Sequence, residues 1–222
     1  RPLTSDNAID ERPAISPDGR QVAFVSDRGG FRSIWLVPIG GGAPRRIAPA
    51  LVLDTLSWSP DGSELLYAAP AGDVPGLYRV SVADGKTLRL PTPGAAHSGA
   101  WSPRGDVIAY LEPILGAPTR LRFVDPRGRP VSTGAPDAGP EMGNGYLAWS
   151  PDGKLLAGMA FPGVTEGTLW IIDPAAPVSS RQLLRLPVER GGRGLAWVRD
   201  GTALLVGGYQ TSSNVVLFSR DR

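Results

Sequence analysis

Short apolar runs, broken at regular intervals by the tetrapeptide Ser-Pro-Asp-Gly, set the pattern of this chain. Pro13-Ala14-Ile15 runs into Ser16-Pro17-Asp18-Gly19, and Gln21-Val22-Ala23-Phe24-Val25-Ser26 runs out of it. Pro17 presets φ for the first turn position, Asp18 favours the second, and Gly19 can take the positive φ that closes it. The two flanking runs therefore read as strands of a hairpin. The cassette returns as Ser59-Pro60-Asp61-Gly62, Ser102-Pro103-Arg104-Gly105 and Ser150-Pro151-Asp152-Gly153, and in degraded form as Val198-Arg199-Asp200-Gly201. Its glycines fall 43, 43, 48 and 48 residues apart. A repeat of this length fits a four-stranded propeller blade of about 40–45 residues.

Alignment on the turn glycine gives four strands per repeat. First strands end in Ile15, Trp58, Trp101, Trp149 and Trp197. Second strands carry Val22, Leu65, Ile108, Leu156 and Leu204 three residues after the glycine, and Phe24, Tyr67, Tyr110, Gly158 and Val206 two further on. This period of two points one face of each second strand into the space between sheets. Third strands read 34–37, 77–80, 121–124, 169–172 and 215–218. Fourth strands, at 45–47, 88–90, 130–132 and 182–184, are weaker, charged or Pro-bearing, as suits an outer edge. The Trp and Tyr positions read as packing between blades.

The fifth repeat has no fourth strand of its own, whereas Arg1-Pro2-Leu3-Thr4 reads as a fourth strand with no blade before it. The expectation is an all-β, five-bladed propeller of four-stranded antiparallel blades, its last blade closed by the N-terminal strand. One domain spans 1–222, with repeats near 5–48, 49–91, 92–134, 135–187 and 188–219 plus 1–4. A monomer is expected if the ring closes. The competing arrangement is part of a ring of six to eight blades.

Composition narrows the chemistry. Gly 29 and Pro 23 would suggest disorder if aperiodic, but here they mark turns between apolar runs. The net charge of +2 comes with no run of five or six basic residues, so a nucleic-acid face is not indicated and no nucleic-acid partner is expected. The absence of cysteine removes disulfides, thiolate metal sites and cysteine nucleophiles. No stretch is long and apolar enough to span a membrane, so no membrane insertion is expected. A start at Arg1 rather than Met reads as a processed or excised piece.

The cassette Pro-Ala-Ile-Ser-Pro-Asp-Gly-Arg-Gln-Val-Ala-Phe-Val-Ser-Asp-Arg, followed by Ile34-Trp35-Leu36-Val37 and Arg45-Arg46-Ile47-Ala48, closely resembles the WD-like propeller repeat of TolB-type proteins. The resemblance covers almost the whole chain and weakens in the fifth repeat. It implies several bacterial roles. TolB-type propellers are periplasmic protein-binding modules, while similar repeats gate prolyl-oligopeptidase-like enzymes, follow kinase or winged-helix domains in sensors, and occur in oligogalacturonate lyases. The residues leave the compartment open and the resemblance alone favours a periplasmic or otherwise extracytoplasmic one, while shared fold does not choose among the roles.

Strand direction sends the loops entering each first strand, and those joining second to third strands, to the mouth of the channel. These loops hold the irregular sequence, and variable loops on a rigid frame are where binding is usually found. The candidates there are Asp10, Glu11, Arg12, Asp54, His97, Glu141, Asn144, Tyr146, Glu189 and Arg193. Asp27 and Arg28 are expected to make a structural ion pair or turn contact, and Asp18, Asp61 and Asp152 to serve the turns.

His97 is the only histidine, and its surroundings match no nucleophile elbow. One histidine also cannot build a transition-metal site, so neither metal nor cofactor is expected. A glycosidase needs two carboxylates across its sugar, yet the inner strands carry none. The sequence reading is a non-catalytic binding or scaffolding module, a sensory or interaction domain of a larger protein that takes a protein partner on its mouth face. The alternatives are a propeller enzyme acting on glycosidic bonds and a small-ligand binder at the channel mouth.

Overall fold

The computed structural model describes residues 2–52, 54–131, 142–143, 145–161, 166–176, 180–187, 194–209 and 213–219. They form a β-propeller of antiparallel sheets without helices. Sheet 1 orders β1 (Asp10–Ile15), β2 (Gln21–Ser26), β3 (Ser33–Pro38) and β4 (Arg45–Pro49). Sheet 2 orders β5 (Ser57–Trp58), β6 (Glu64–Ala71), β7 (Val74–Ser81) and β8 (Thr87–Arg89). Sheet 3 has three strands, β9 (His97–Trp101), β10 (Ile108–Ile114) and β11 (Ala117–Val124). Sheet 4 orders β12 (Tyr146–Trp149), β13 (Leu156–Ala160), β14 (Glu166–Ile172) and β15 (Arg181–Pro187). Sheet 5 again has three, β16 (Leu195–Trp197), β17 (Ala203–Tyr209) and β18 (Ser213–Ser219).

The turns form for the reason their residues suggest. In the first, Ser16 Oγ donates to Asp18 Oδ1 at 2.6 Å and accepts from the Gln21 amide at 2.9 Å, while the Gly19 amide donates to the Ser16 carbonyl. Gly19 has φ 72°, so a side chain there would be strained. The same bonds recur at Ser59 and Asp61, and at Ser150 and Asp152.

Alternation along the second strands builds the core. Leu65, Ile108, Leu156 and Leu204 are all buried, as is Val22. Leu36 and Val25 meet Leu65 and Tyr67 between sheets 1 and 2, and Leu66 and Leu77 meet Ile108 and Tyr110 between sheets 2 and 3. Leu111 and Phe123 meet Leu147 and Leu156 between sheets 3 and 4, and Met159 and Leu169 meet Leu204 and Val206 between sheets 4 and 5.

One expectation is corrected and one is met only in part. Of the predicted fourth strand at 130–132, Pro130 bridges Val124 and the Val131 amide donates to the Phe123 carbonyl at 3.0 Å, while residue 132 lies outside the described residues. The predicted closing strand at 1–4 is not a strand over residues 2–4. Leu3 instead packs on Val22, Phe24 and Val37 of sheet 1. Polar contacts hold this segment there. Thr4 Oγ1 donates to Asp10 at 2.7 Å, and Arg28 pairs with Asp10 at 2.8 Å and Asp6 at 3.4 Å while its guanidinium lies 4.9 Å from the Phe24 ring. On sheet 5, Leu205 points away from the sheet 4 layer and is 37% exposed.

Candidate functional site

The inner strands β1, β5, β9, β12 and β16 surround a cavity of about 1120 Å³. Its walls are apolar, with Ala14, Leu56, Ala100, Leu147 and Ala196 among them. Glu11 and Arg12 stand at the mouth, and Pro103 and Pro151 at the far end. Glu11 is the sole carboxylate among the described lining residues, and Arg32 already pairs with it.

Tryptophans join the inner strands. Trp58 donates its indole N–H to the carbonyl of Ala14 at 2.9 Å, Trp149 to Ala100 at 3.0 Å, and Trp197 to Ala148 at 2.9 Å. Each reaches back to the preceding sheet while its ring also lines the channel. The expected packing role is thus joined by a hydrogen-bonding one. Trp101 differs. It is almost fully buried between sheets 2 and 3, its indole nitrogen has no partner, and the Arg79 guanidinium lies 6.0 Å from its ring. Ser57 stands where the other sheets have alanine, and its Oγ accepts the Trp101 backbone amide at 2.9 Å.

A polar clasp joins three sheets at the mouth. Asp54, just before β5, is buried and accepts the Ser98 backbone N–H. Ser98 Oγ donates to the Gly145 carbonyl, just before β12, at 2.7 Å. His97 Nδ1 lies 3.0 Å from the same Oγ. Burial pushes the Asp54 carboxyl up, with partial relief from the Ser98 amide and the charge of Arg12. Burial pushes the His97 imidazole down. Ser98 and Arg12 hold positive φ, 53° and 56°, which marks both as constrained.

Serine, histidine and aspartate are adjacent here without forming a nucleophilic triad. A triad needs its carboxylate on the imidazole so that the base is oriented. Asp54 takes a backbone amide instead, and the Ser98 hydroxyl, in a residue 3% exposed, is committed to a carbonyl. Among the described residues no group of three His, Cys, Asp or Glu side chains could hold a metal ion.

The predicted site residues separate into three sets. Arg12, Asp54, His97 and Tyr146 gather around the mouth, where Tyr146 meets Phe161 edge to face at 6.1 Å. Asp10 and Glu11 are tied to Arg28 and Arg32. Glu141, Asn144, Glu189 and Arg193 lie outside the described residues. Asp27 accepts the Ile9 amide at 2.9 Å from the segment before β1, and its carbonyl accepts the Gly30 amide at 3.0 Å in the turn contact expected. Ser98 and the Gly145 carbonyl were not anticipated. A backbone acceptor leaves no residue-type signal, and Ser98 belongs to no repeated motif.

Sheets packed around an apolar channel, joined by tryptophans and tied by Ser-Pro-Asp-Gly turns, define a β-propeller of the WD-like kind. The sequence profile of the TolB beta propeller domain matches residues 2–125, more than half of the chain, and the chain belongs to that family. Solved TolB structures share the fold. TolB from Acinetobacter baumannii has TM-score 0.66 and 22% identity over 85% of this chain and 46% of that one. A putative TolB from Agrobacterium tumefaciens has TM-score 0.74 and 21% identity over 99% of this chain and 78% of that one. An enzyme shares it too, a gluconolactonase from Xanthomonas campestris with TM-score 0.67 and 18% identity over 98% of this chain and 77% of that one. Coronin-7 of Mus musculus is 41% identical over 69 residues, 30% of this chain but only 7% of that protein. This chain therefore spans under half of one TolB and a small fraction of Coronin-7.

Proposed function

We propose that this propeller is a non-catalytic binding module, a sensory or interaction domain of a larger protein, that takes a protein partner on its loop-rich mouth face. One observation carries the reading. The described mouth carboxylates are already engaged, Asp10 by Arg28, Glu11 by Arg32 and Asp54 by the Ser98 amide, and the channel walls below them are apolar. Such a site offers contact area rather than a pair of acids, and contact area on loops carried by a packed frame suits a partner surface. The TolB fold accords with this role, although catalytic propellers share the architecture.

The reading takes residues 1–222 as one ring in which sheet 5 lies beside sheet 1, with Leu3 of the N-terminal segment packed on the Val22, Phe24 and Val37 face of sheet 1. Solution X-ray scattering tests the ring. A closed disc is expected, and the profile of an open arc would count against it.

Photo-crosslinking in the producing cell tests the function. Benzoylphenylalanine at Thr55 or Tyr146 should trap a protein partner, and the same group at Asp61 or Asp152 on the opposite face should not. Adducts from the opposite face alone would overturn the assignment. The glycosidase alternative predicts that Glu11→Gln abolishes turnover of a sugar substrate, whereas a binding surface loses only part of its affinity.

A further inference from the structure

Away from the channel, at the mouth end of sheet 1, three large apolar side chains are exposed, two of them, Phe31 and Leu51, on facing positions. Ile9 is 63% exposed, Phe31 51% and Leu51 57%. Backbone bonds fix their positions. The Ile9 amide is held by Asp27, whose carbonyl accepts the Gly30 amide to close the turn before Phe31. The Ala50 amide donates to the Arg32 carbonyl at 3.3 Å, which carries the β3–β4 pairing past the strand ends and sets Leu51 opposite Phe31. Over the Phe31 ring, 4.2 Å from its centroid, lies the guanidinium of Arg46.

The charge pattern identifies what this corner fits. Arg28 is neutralised by Asp6 and Asp10, and Arg32 by Glu11. Arg46 is exposed, and among the described residues no carboxylate pairs with it. Its guanidinium is held over the Phe31 ring, and a guanidinium is the group that receives a carboxylate through two parallel bonds. Aromatic side chains and arginine are also the residue types in which binding energy concentrates at protein interfaces.

We propose that Phe31, Arg46 and Leu51 form a preformed hot spot for a partner segment that presents a carboxylate beside an apolar side chain. The carboxylate bridges the Arg46 guanidinium, and the apolar group covers Phe31 and Leu51. Little ordering is required on this side, because the turn and the stacked cation are already set. The assignment rests on the protein-binding reading above and names the chemistry of the partner at one corner of the same face.

A peptide array tests it. Each spot carries one apolar residue next to Asp, Glu, Asn or Lys in a Gly-Ser frame. The wild-type chain should bind Asp and Glu spots that carry Leu or Phe. Arg46→Gln should weaken them about tenfold, as loss of a charge-assisted pair implies. Phe31→Ser should weaken them by as much while leaving the thermal midpoint unchanged, since the ring is exposed. Backbone NMR with the best acidic peptide should shift Phe31, Arg46 and Leu51. Equal binding to Lys spots, or no binding above background, would overturn the hot spot. Shifts confined to Thr55 and Tyr146 would overturn it too while leaving the protein-binding reading intact. Sedimentation with phosphatidylglycerol vesicles that Phe31→Ser abolishes would assign the corner to a lipid surface instead.

Discussion

Trp149 donates its indole N–H to the carbonyl oxygen of Ala100, 49 residues earlier and one sheet back, at 3.0 Å. Two sheets that share no strand pairing are thereby joined at their inner edges. Trp149→Phe keeps an aromatic ring and removes the donor, so it should cost about 1 kcal/mol or somewhat more. Urea unfolding followed by circular dichroism measures this, and an unchanged midpoint would show that the bond contributes nothing.

Ser59 serves its turn twice, donating to Asp61 Oδ1 at 2.6 Å and accepting from the Glu64 amide at 2.9 Å. Ser59→Ala leaves both partners short of a bond and should destabilise by about 1–2 kcal/mol. The equivalent substitutions at Ser16 and Ser150 should match it, because their bonds are the same. Three unlike values in chemical denaturation would mean that the turns do not act as equivalents.

The turn aspartates give the acid response its direction. Hydrogen bonds from Ser16, Ser59, Ser150 and Thr202 hold Asp18, Asp61, Asp152 and Asp200 below their ordinary 3.8. A carboxyl whose folded value is depressed contributes stability that is present above the unfolded value and lost as pH falls through the folded one. The loss should therefore fall below pH 3.8. Replacing all four with Asn should lower thermal stability at neutrality and flatten its dependence on pH in that range, so that variant and wild type converge in acid.

Asp54 has the opposite sign. Burial raises its carboxyl, so the folded state prefers the neutral acid, and stability falls as pH climbs from the unfolded value towards the folded one. Asp54→Asn keeps an oxygen for the Ser98 amide without the charge. It should melt at or above the wild-type temperature at pH 7 and lose any advantage in acid. Asp54→Ala, which strands that amide, should melt lower at both. A large loss in the Asn variant would show that the ionised form is required.

Gly145 has no room for a methyl group. A Cβ there would sit 2.2 Å from the Met159 carbonyl oxygen, a backbone atom that cannot move without parting β12 from β13. Gly145→Ala should cost about 1–3 kcal/mol, as overpacking does. It should also loosen the bond from Ser98, visible as faster amide exchange at Ser98.

Much of this fold is legible in sequence because it is local. Asp18 and Gly19 announce their turn, and the alternation through Val22 and Phe24 announces which face is buried. The limits lie where long-range competition decides. Leu3 has strand-like neighbours, but Thr4 and Asp6 find partners in Asp10 and Arg28, and these draw the segment onto sheet 1. The candidate site was half legible. The mouth location of Arg12, Asp54, His97 and Tyr146 was legible because each lies at or near the start of an inner strand. The clasp itself was not, since its terminal acceptor is the Gly145 carbonyl and its central member bonds through a backbone amide.

Trp58, Trp149 and Trp197 all reach backwards along the chain, to a carbonyl made earlier. During synthesis, each such tryptophan therefore emerges from the ribosome after its acceptor. The corresponding sheet can settle on its predecessor without waiting for the next. Growth by accretion from the N-terminal side follows from this polarity.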